Sequence, residues 1–187
     1  LPNKSKEYAK SINLKTKTDT ADAKMLGQMG IERDLSSWQP ASPKMRVLKQ
    51  LTRDRVSLLS EKTSISNKLH ALHHSFEPHQ GVIERQNQRL ILTNKQIKQV
   101  EKEIEQTIQT DEILKDKVAN ICTVKGLGLI TVATIIAETN GFLLFTSRGQ
   151  LVSYAGYDVI EKESGSSIKG KPRISKKGNT HIRRVLH

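Results

Sequence analysis

The sequence predicts a mainly α-helical chain organised along a long antiparallel arm, with a small helical domain after it. Apolar residues at Leu48, Leu51, Leu58, Ile65, Leu69 and Leu72 follow a three-four stagger, and Leu90, Ile97, Val100, Ile104 and Ile108 form a second such stripe. Hydrophobic residues make up 35% of the 187 and aromatic residues 4%, enough for thin helical cores but little for one thick core. The formal net charge of +12 favours a polyanionic partner, nucleic acid before membrane surface.

Several classes are excluded early. Cys122 is the single cysteine, so neither an internal disulfide nor a thiolate zinc cluster can form. No apolar run approaches the roughly 20 residues that span a bilayer, and no segment has the make-up of a secretory leader. The expectation is a soluble, intracellular protein. The chain opens on Leu1 rather than Met and stops at RRVLH, within an amphipathic helical pattern, so it reads as a fragment of something longer.

Taken in order, Asn3 caps a short helix through KSKEYAKSI, and a second helix begins near Thr18 and is expected to end at Gly30. Asp19 and Asp22 fall in its first turn, three residues apart, where two carboxylates on one face can cap the helix start or share one divalent cation. The first arm helix runs from Lys44 to His74, with Arg55 and Lys62 interrupting its apolar seam. The second is predicted to continue from Gly81 to Ala119 after the break at Pro78. At about 1.5 Å per residue the arm should extend on the order of 50 Å, a lever or an oligomer interface. His70, His73, His74 and His79 lie near its tip, without the HExxH of a metalloprotease.

From Ile121 the texture changes to ICTVKGLGLITVATIIAET. This resembles a helix-hairpin-helix, in which Gly126 and Gly128 let backbone approach a phosphate and Lys125 supplies charge; an ordinary tight turn accounts for the same glycines. Helices are predicted over 129–138 and 147–154, with a stop at Asn140-Gly141, then a short hairpin around Gly165 within 158–175. From Ser164 to the end the chain carries seven cations, Lys169, Lys171, Arg173, Lys176, Lys177, Arg183 and Arg184, and no acid. Such a run suits a phosphate backbone, and Ser164, Ser166 and Ser167 place hydroxyls beside it. The stretch from Gly165 to Lys171 mimics a Walker loop but has Pro172 where the magnesium-ligating Ser or Thr belongs, so that reading fails.

Three stretches in order, KTKTDTADAK at 15–24, the arm from Leu48, and VKGLG with SYAGY and the SG…ISKKGN…RRVL ending, resemble the DEDD-type transposases of the insertion sequence 110 family. The resemblance covers nearly the whole chain. It implies the end of an RNase H-like (RuvC-like) domain at 1–36, a coiled-coil arm at 44–119 and a C-terminal transposase domain at 120–187. It implies that Asp19 and Asp22 are the closing pair of four acids that bind Mg2+, the other two lying upstream of Leu1, and that Ser164 is the nucleophile. It also implies DNA as substrate, a structured guide RNA and a bacterial cytoplasmic setting. The narrow apolar stripes of the arm predict homo-oligomerisation through it, and because the arm would keep the acids and the serine far apart within one protomer, a site shared between protomers is expected. The rival from composition alone is a non-enzymatic helix-hairpin-helix nucleic-acid-binding protein with a coiled-coil dimerisation arm; a third is a coiled-coil interaction module with a solubilising basic tail.

Overall fold

The computed structural model describes residues 2–35, 40–161, 163–164 and 168–187. Gly165, Ser166 and Ser167, and the side chains of Ser164 and Lys169, lie outside the described residues. The chain divides into two units, Leu1–Pro40 and Ala41–His187.

In the first unit, α1 (Pro2–Ser11) and α2 (Asp19–Glu32) pack around Tyr8, Met25 and Met29. Thr18 caps α2 by accepting a hydrogen bond from Ala21 N. The helix overruns the stop expected at Gly30. Gly30 does not take the left-handed conformation that ends helices, and the Tyr8 hydroxyl donates to Glu32 Oε2 at 2.6 Å, tying the last turn to α1.

In the second unit, α3 (Pro43–His73) and α4 (Gln80–Gln109) form the arm. Ser42 and His79 cap them, through Met45 N and Gly81 N. Lys44 Nζ reaches Thr110 O at 3.0 Å, while Arg55 pairs with Glu101 at 2.7 Å, so moving forward along α3 means moving back along α4. The helices are thus antiparallel, each about 45 Å long at the α-helical rise. Leu48, Leu58, Ile97, Val100, Ile104 and Ile108 are buried between them or at their root. The interruption at Arg55 is an ion pair across the arm. The buried Thr52 and Thr93 hydroxyls donate to carbonyls of their own helices, so neither is left without a partner.

The single helix predicted over 81–119 is in fact two. Helix α4 ends at Gln109 and α5 (Glu112–Cys122) starts afresh, because the Asp111 side chain accepts from Leu114 N at 3.1 Å and caps a new helix start. Lys44 also grips Asp111, at 3.2 Å. The break lets α5 present Leu114 and Val118 to α6 (Leu129–Glu138), which is apolar nearly all round and accordingly buried, with Val132, Ala133, Ile136 and Ala137 sealed in. These side chains join those at the arm root in one continuous core.

After α6, the chain forms α7 (Arg148–Ala155), β1 (Val159–Ile160), β2 (Glu163–Ser164), β3 (Ile168–Lys169), β4 (Arg173–Ile174) and α8 (Thr180–Val185). Strands β1 and β4 pair antiparallel, as do β2 and β3, with Ser164 opposite Ile168. The inner ladder pairs Glu163 with Lys169 and Ser164 with Ile168.

Candidate nucleic-acid interface

Helix α6 carries one acid, Glu138, as its last residue, and that residue is 1% exposed. A carboxylate taken out of water costs several kcal/mol unless cations and donors surround it. Here they do. Arg53 clamps it in bidentate fashion, Nε to Oε1 at 2.7 Å and Nη2 to Oε2 at 3.0 Å. Lys49, one turn earlier on α3, lies 3.4 Å from Oε2, and Asn179 Nδ2 donates to the same oxygen at 2.7 Å. One carboxylate thereby ties together the arm root, the buried helix and the segment entering α8.

That segment, SKKGN at 175–179, is held against the end of α7 largely through backbone. Gly156 closes α7 in the left-handed conformation at φ 75°. Lys176 N donates to Gly156 O at 3.0 Å and Asn179 N to Tyr154 O at 2.7 Å. A Cβ on Gly178 would fall on Tyr154 O and lie 2.6 Å from Gly156 N, so only glycine allows this approach. Asn179 Oδ1 accepts from His181 N and Ile182 N, capping α8. Ser175 completes the turn: its Oγ donates to Asp158 Oδ1 at 2.6 Å and accepts from Lys177 N at 3.1 Å. The exposed Lys176 and Lys177 therefore project from a braced turn.

The other sequence-derived positions are distributed around this frame. Lys171, Arg173 and Arg184 are exposed. Arg183 is half-buried, and its Nη1 donates to Ala155 O at 2.6 Å, so its guanidinium is engaged in holding α8 to α7. Between α5 and α6, Gly126 has φ 95° and Gly128 is the N-cap residue of α6, without a side-chain cap; a Cβ at either would meet open space, and Lys125 is exposed. Ser164 has its backbone on β2, in the same unit. Asp19 and Asp22 belong to the other unit, on the first turn of α2. Their oxygens are the right kind of donor for Mg2+. Among the described residues, however, no group of three or more His, Cys, Asp or Glu is gathered anywhere. Two carboxylates are an incomplete donor set for such an ion.

Sequence reasoning missed Lys49, Arg53, Glu138, Tyr154 and Asn179. Two signals were present: a lone acid inside an apolar helix, which needs a partner when buried, and cations spaced by four on α3. Neither says that the two meet.

Burial pushes the Glu138 carboxyl up, but the hydrogen bonds from Arg53 and Asn179, with the charges of Lys49 and Arg53, outweigh it and hold it below its ordinary value. Burial first, then Arg53, Arg184 and Lys49, hold the His181 imidazole below its usual value against the opposing pull of Glu138. Both shifts act in one direction. The unfolded chain takes up protons before the folded one, so stability is full above the ordinary histidine value of about 6.5 and declines as pH falls, first through His181 and then through Glu138. Urea midpoints at stepped pH values should fall monotonically from pH 7.5 to 4, and His181→Gln should remove the upper part of that decline.

No helix among the described residues is long and apolar enough to cross a membrane. Residues 1–78 match a family model described as a transposase of the DEDD IS110 type, and residues 118–187 match the transposase IS116/IS110/IS902 family. The chain is 27% identical over 183 residues to the pilin gene-inverting proteins of Moraxella bovis and Moraxella lacunata, covering 96% of this chain and 54% of each relative. It thus spans about half the length of the curated relatives it matches. With both models drawn from one family and together spanning most of its length, the chain belongs to the IS110 family of transposases.

Proposed function

We propose that this chain is part of a DNA recombinase of an insertion element, acting in the bacterial cytoplasm and cutting and rejoining DNA through Ser164. The observation that carries the reading is the family match across the C-terminal residues, together with a hairpin that holds the Ser164 backbone and returns into the braced turn bearing Lys176 and Lys177. In the proposed step the serine hydroxyl gives up its proton as its oxygen bonds to phosphorus, the phosphorus–oxygen bond to one strand breaks, and that strand leaves as a hydroxyl after taking up a proton, so no net proton is consumed. The phosphoserine link keeps the energy of the broken bond for rejoining. Lys169, Lys171, Arg173, Lys176, Lys177 and Arg184 would neutralise phosphates around it, with Arg183 holding their frame.

In this reading residues 1–36 end a RuvC-like domain, 44–119 are a coiled-coil arm that joins protomers, and 120–187 form the transposase domain. Asp19 and Asp22 would hold Mg2+ with further oxygen ligands, and the ion would supply positive charge to a phosphate bound there. Lys125, Gly126 and Gly128 would grip backbone phosphate as a helix-hairpin-helix does, and a structured RNA would select donor and target sites.

The test is covalent trapping by the full-length recombinase on a suicide DNA substrate. Ser164→Ala should reduce the protein–DNA adduct to background while Ser166→Ala and Ser167→Ala retain it; an adduct that survives Ser164→Ala removes the assignment. Asp19→Asn or Asp22→Asn should abolish recombination, and unaltered activity would leave these acids as helix caps. The incomplete donor set at Asp19 and Asp22 favours one second reading, a non-enzymatic nucleic-acid binder. Its signature is salt-dependent binding with no adduct from any variant.

A further inference from the structure

Neutralising the Glu138 carboxylate takes one positive charge, yet more than one cation is assembled around it. Lys49 and Arg53 both pair with it, and Arg184 joins them in the electrostatic surroundings of His181. Glu138 is sealed, whereas the side chains of Lys49 and Arg53 are 36% and 47% exposed and Arg184 lies on the surface. Arg53 spends Nε and Nη2 on the carboxylate, and its Nη1 has no hydrogen-bond partner among the described residues. A guanidinium braced from behind in this way keeps its orientation while its free edge faces water, an arrangement suited to a phosphate oxygen. The same carboxylate holds Asn179, which ends the turn carrying Lys176 and Lys177.

We propose that Lys49 and Arg53 at the root of the arm and Arg184 of α8 form a phosphate-binding surface for a nucleic-acid backbone, with Glu138 as the positioning residue that keeps it in one frame with the Lys176–Lys177 turn. The inference rests on the nucleic-acid reading above and extends the binding surface from the C-terminal basic segment onto the arm. It assigns α3 a role in recognition in addition to its role as a spacer. The ligand chemistry is phosphodiester, which duplex DNA and structured RNA share.

The test measures affinity of the 187-residue chain for a labelled random-sequence duplex and for an RNA hairpin across a salt series. The double variant Lys49→Gln/Arg184→Gln leaves the Arg53–Glu138 clamp intact, and its melting temperature checks the fold. Its salt slope on duplex DNA should be shallower than wild type by about 0.9 for each phosphate it no longer neutralises, with a shallower slope also on the RNA hairpin if that backbone is the one read. Lys95→Gln, an exposed position on α4, serves as the comparison. A reduced slope with either probe supports the surface and identifies which backbone it reads. A double-variant slope equal to that of Lys95→Gln on both probes, while Lys176→Gln/Lys177→Gln reduces it, overturns this proposal alone. Wild-type binding to neither probe overturns the nucleic-acid reading and this proposal with it.

Discussion

Arg53→Met should lower the stability of the unit Ala41–His187 by about 3 kcal/mol, read as a shift of the urea midpoint at pH 7. The methionine preserves much of the side chain's bulk but withdraws both hydrogen bonds from a carboxylate that is 1% exposed. Removing one partner of a buried pair typically costs about 3–5 kcal/mol. The lower end applies because Asn179 and Lys49 still face Glu138 and because Arg53 is itself half-exposed. The variant should also respond differently to acid. With the clamp gone, burial dominates and the carboxyl rises, so the deficit relative to wild type shrinks as pH falls and Glu138 takes up its proton. Arg53→Met/Glu138→Leu should recover part of the loss, since the sealed site then holds no unpaired charge. A single variant as stable as wild type at pH 7 would mean that Glu138 is not buried as a charge.

Gly178→Ala should destabilise the same unit by roughly 2–3 kcal/mol and weaken nucleic-acid binding more than its stability loss alone predicts. The added Cβ meets Tyr154 O, Gly156 N and Ala155 C, all backbone atoms that cannot rotate aside. The turn must therefore lift from α7, which breaks the bonds of Lys176 N to Gly156 O and Asn179 N to Tyr154 O and withdraws Asn179 from Glu138. Amide hydrogen exchange at 176–179 should rise sharply while exchange in the arm stays slow. Unchanged exchange at those amides would show that α7 yields instead. Gly128→Ala is a useful contrast: its Cβ would meet nothing within 4 Å, so a stability change near zero is expected.

Much of the helical layout was legible because it depends on local rules. The three-four stagger marks α3 and α4, and Ser147 stands at the start expected for α7, where it caps the helix. The break at Asp111 was not legible, since the apolar spacing of Ile104, Ile108 and Leu114 carries no record that the chain turns. What decides it is Lys44, distant in sequence, meeting Asp111 and Thr110 at the arm's root. Arg55 could be read only as a flaw in the seam until Glu101 was found opposite it.

The basic C-terminal segment shows the same division. The sequence by itself determined its charge, its glycines and the exposure of most of its cations, because a run without acids or large apolar residues has little to bury. It could not separate Arg183, whose guanidinium is taken up by Ala155 O, from its neighbour Arg184, which stays on the surface. Nor could it bring Arg53 to Glu138 across 85 residues of chain, or Lys49 alongside it. A buried carboxylate must find cations, but which cations reach it depends on how α3, α6 and α8 pack, and that is settled only when the tertiary structure closes over it.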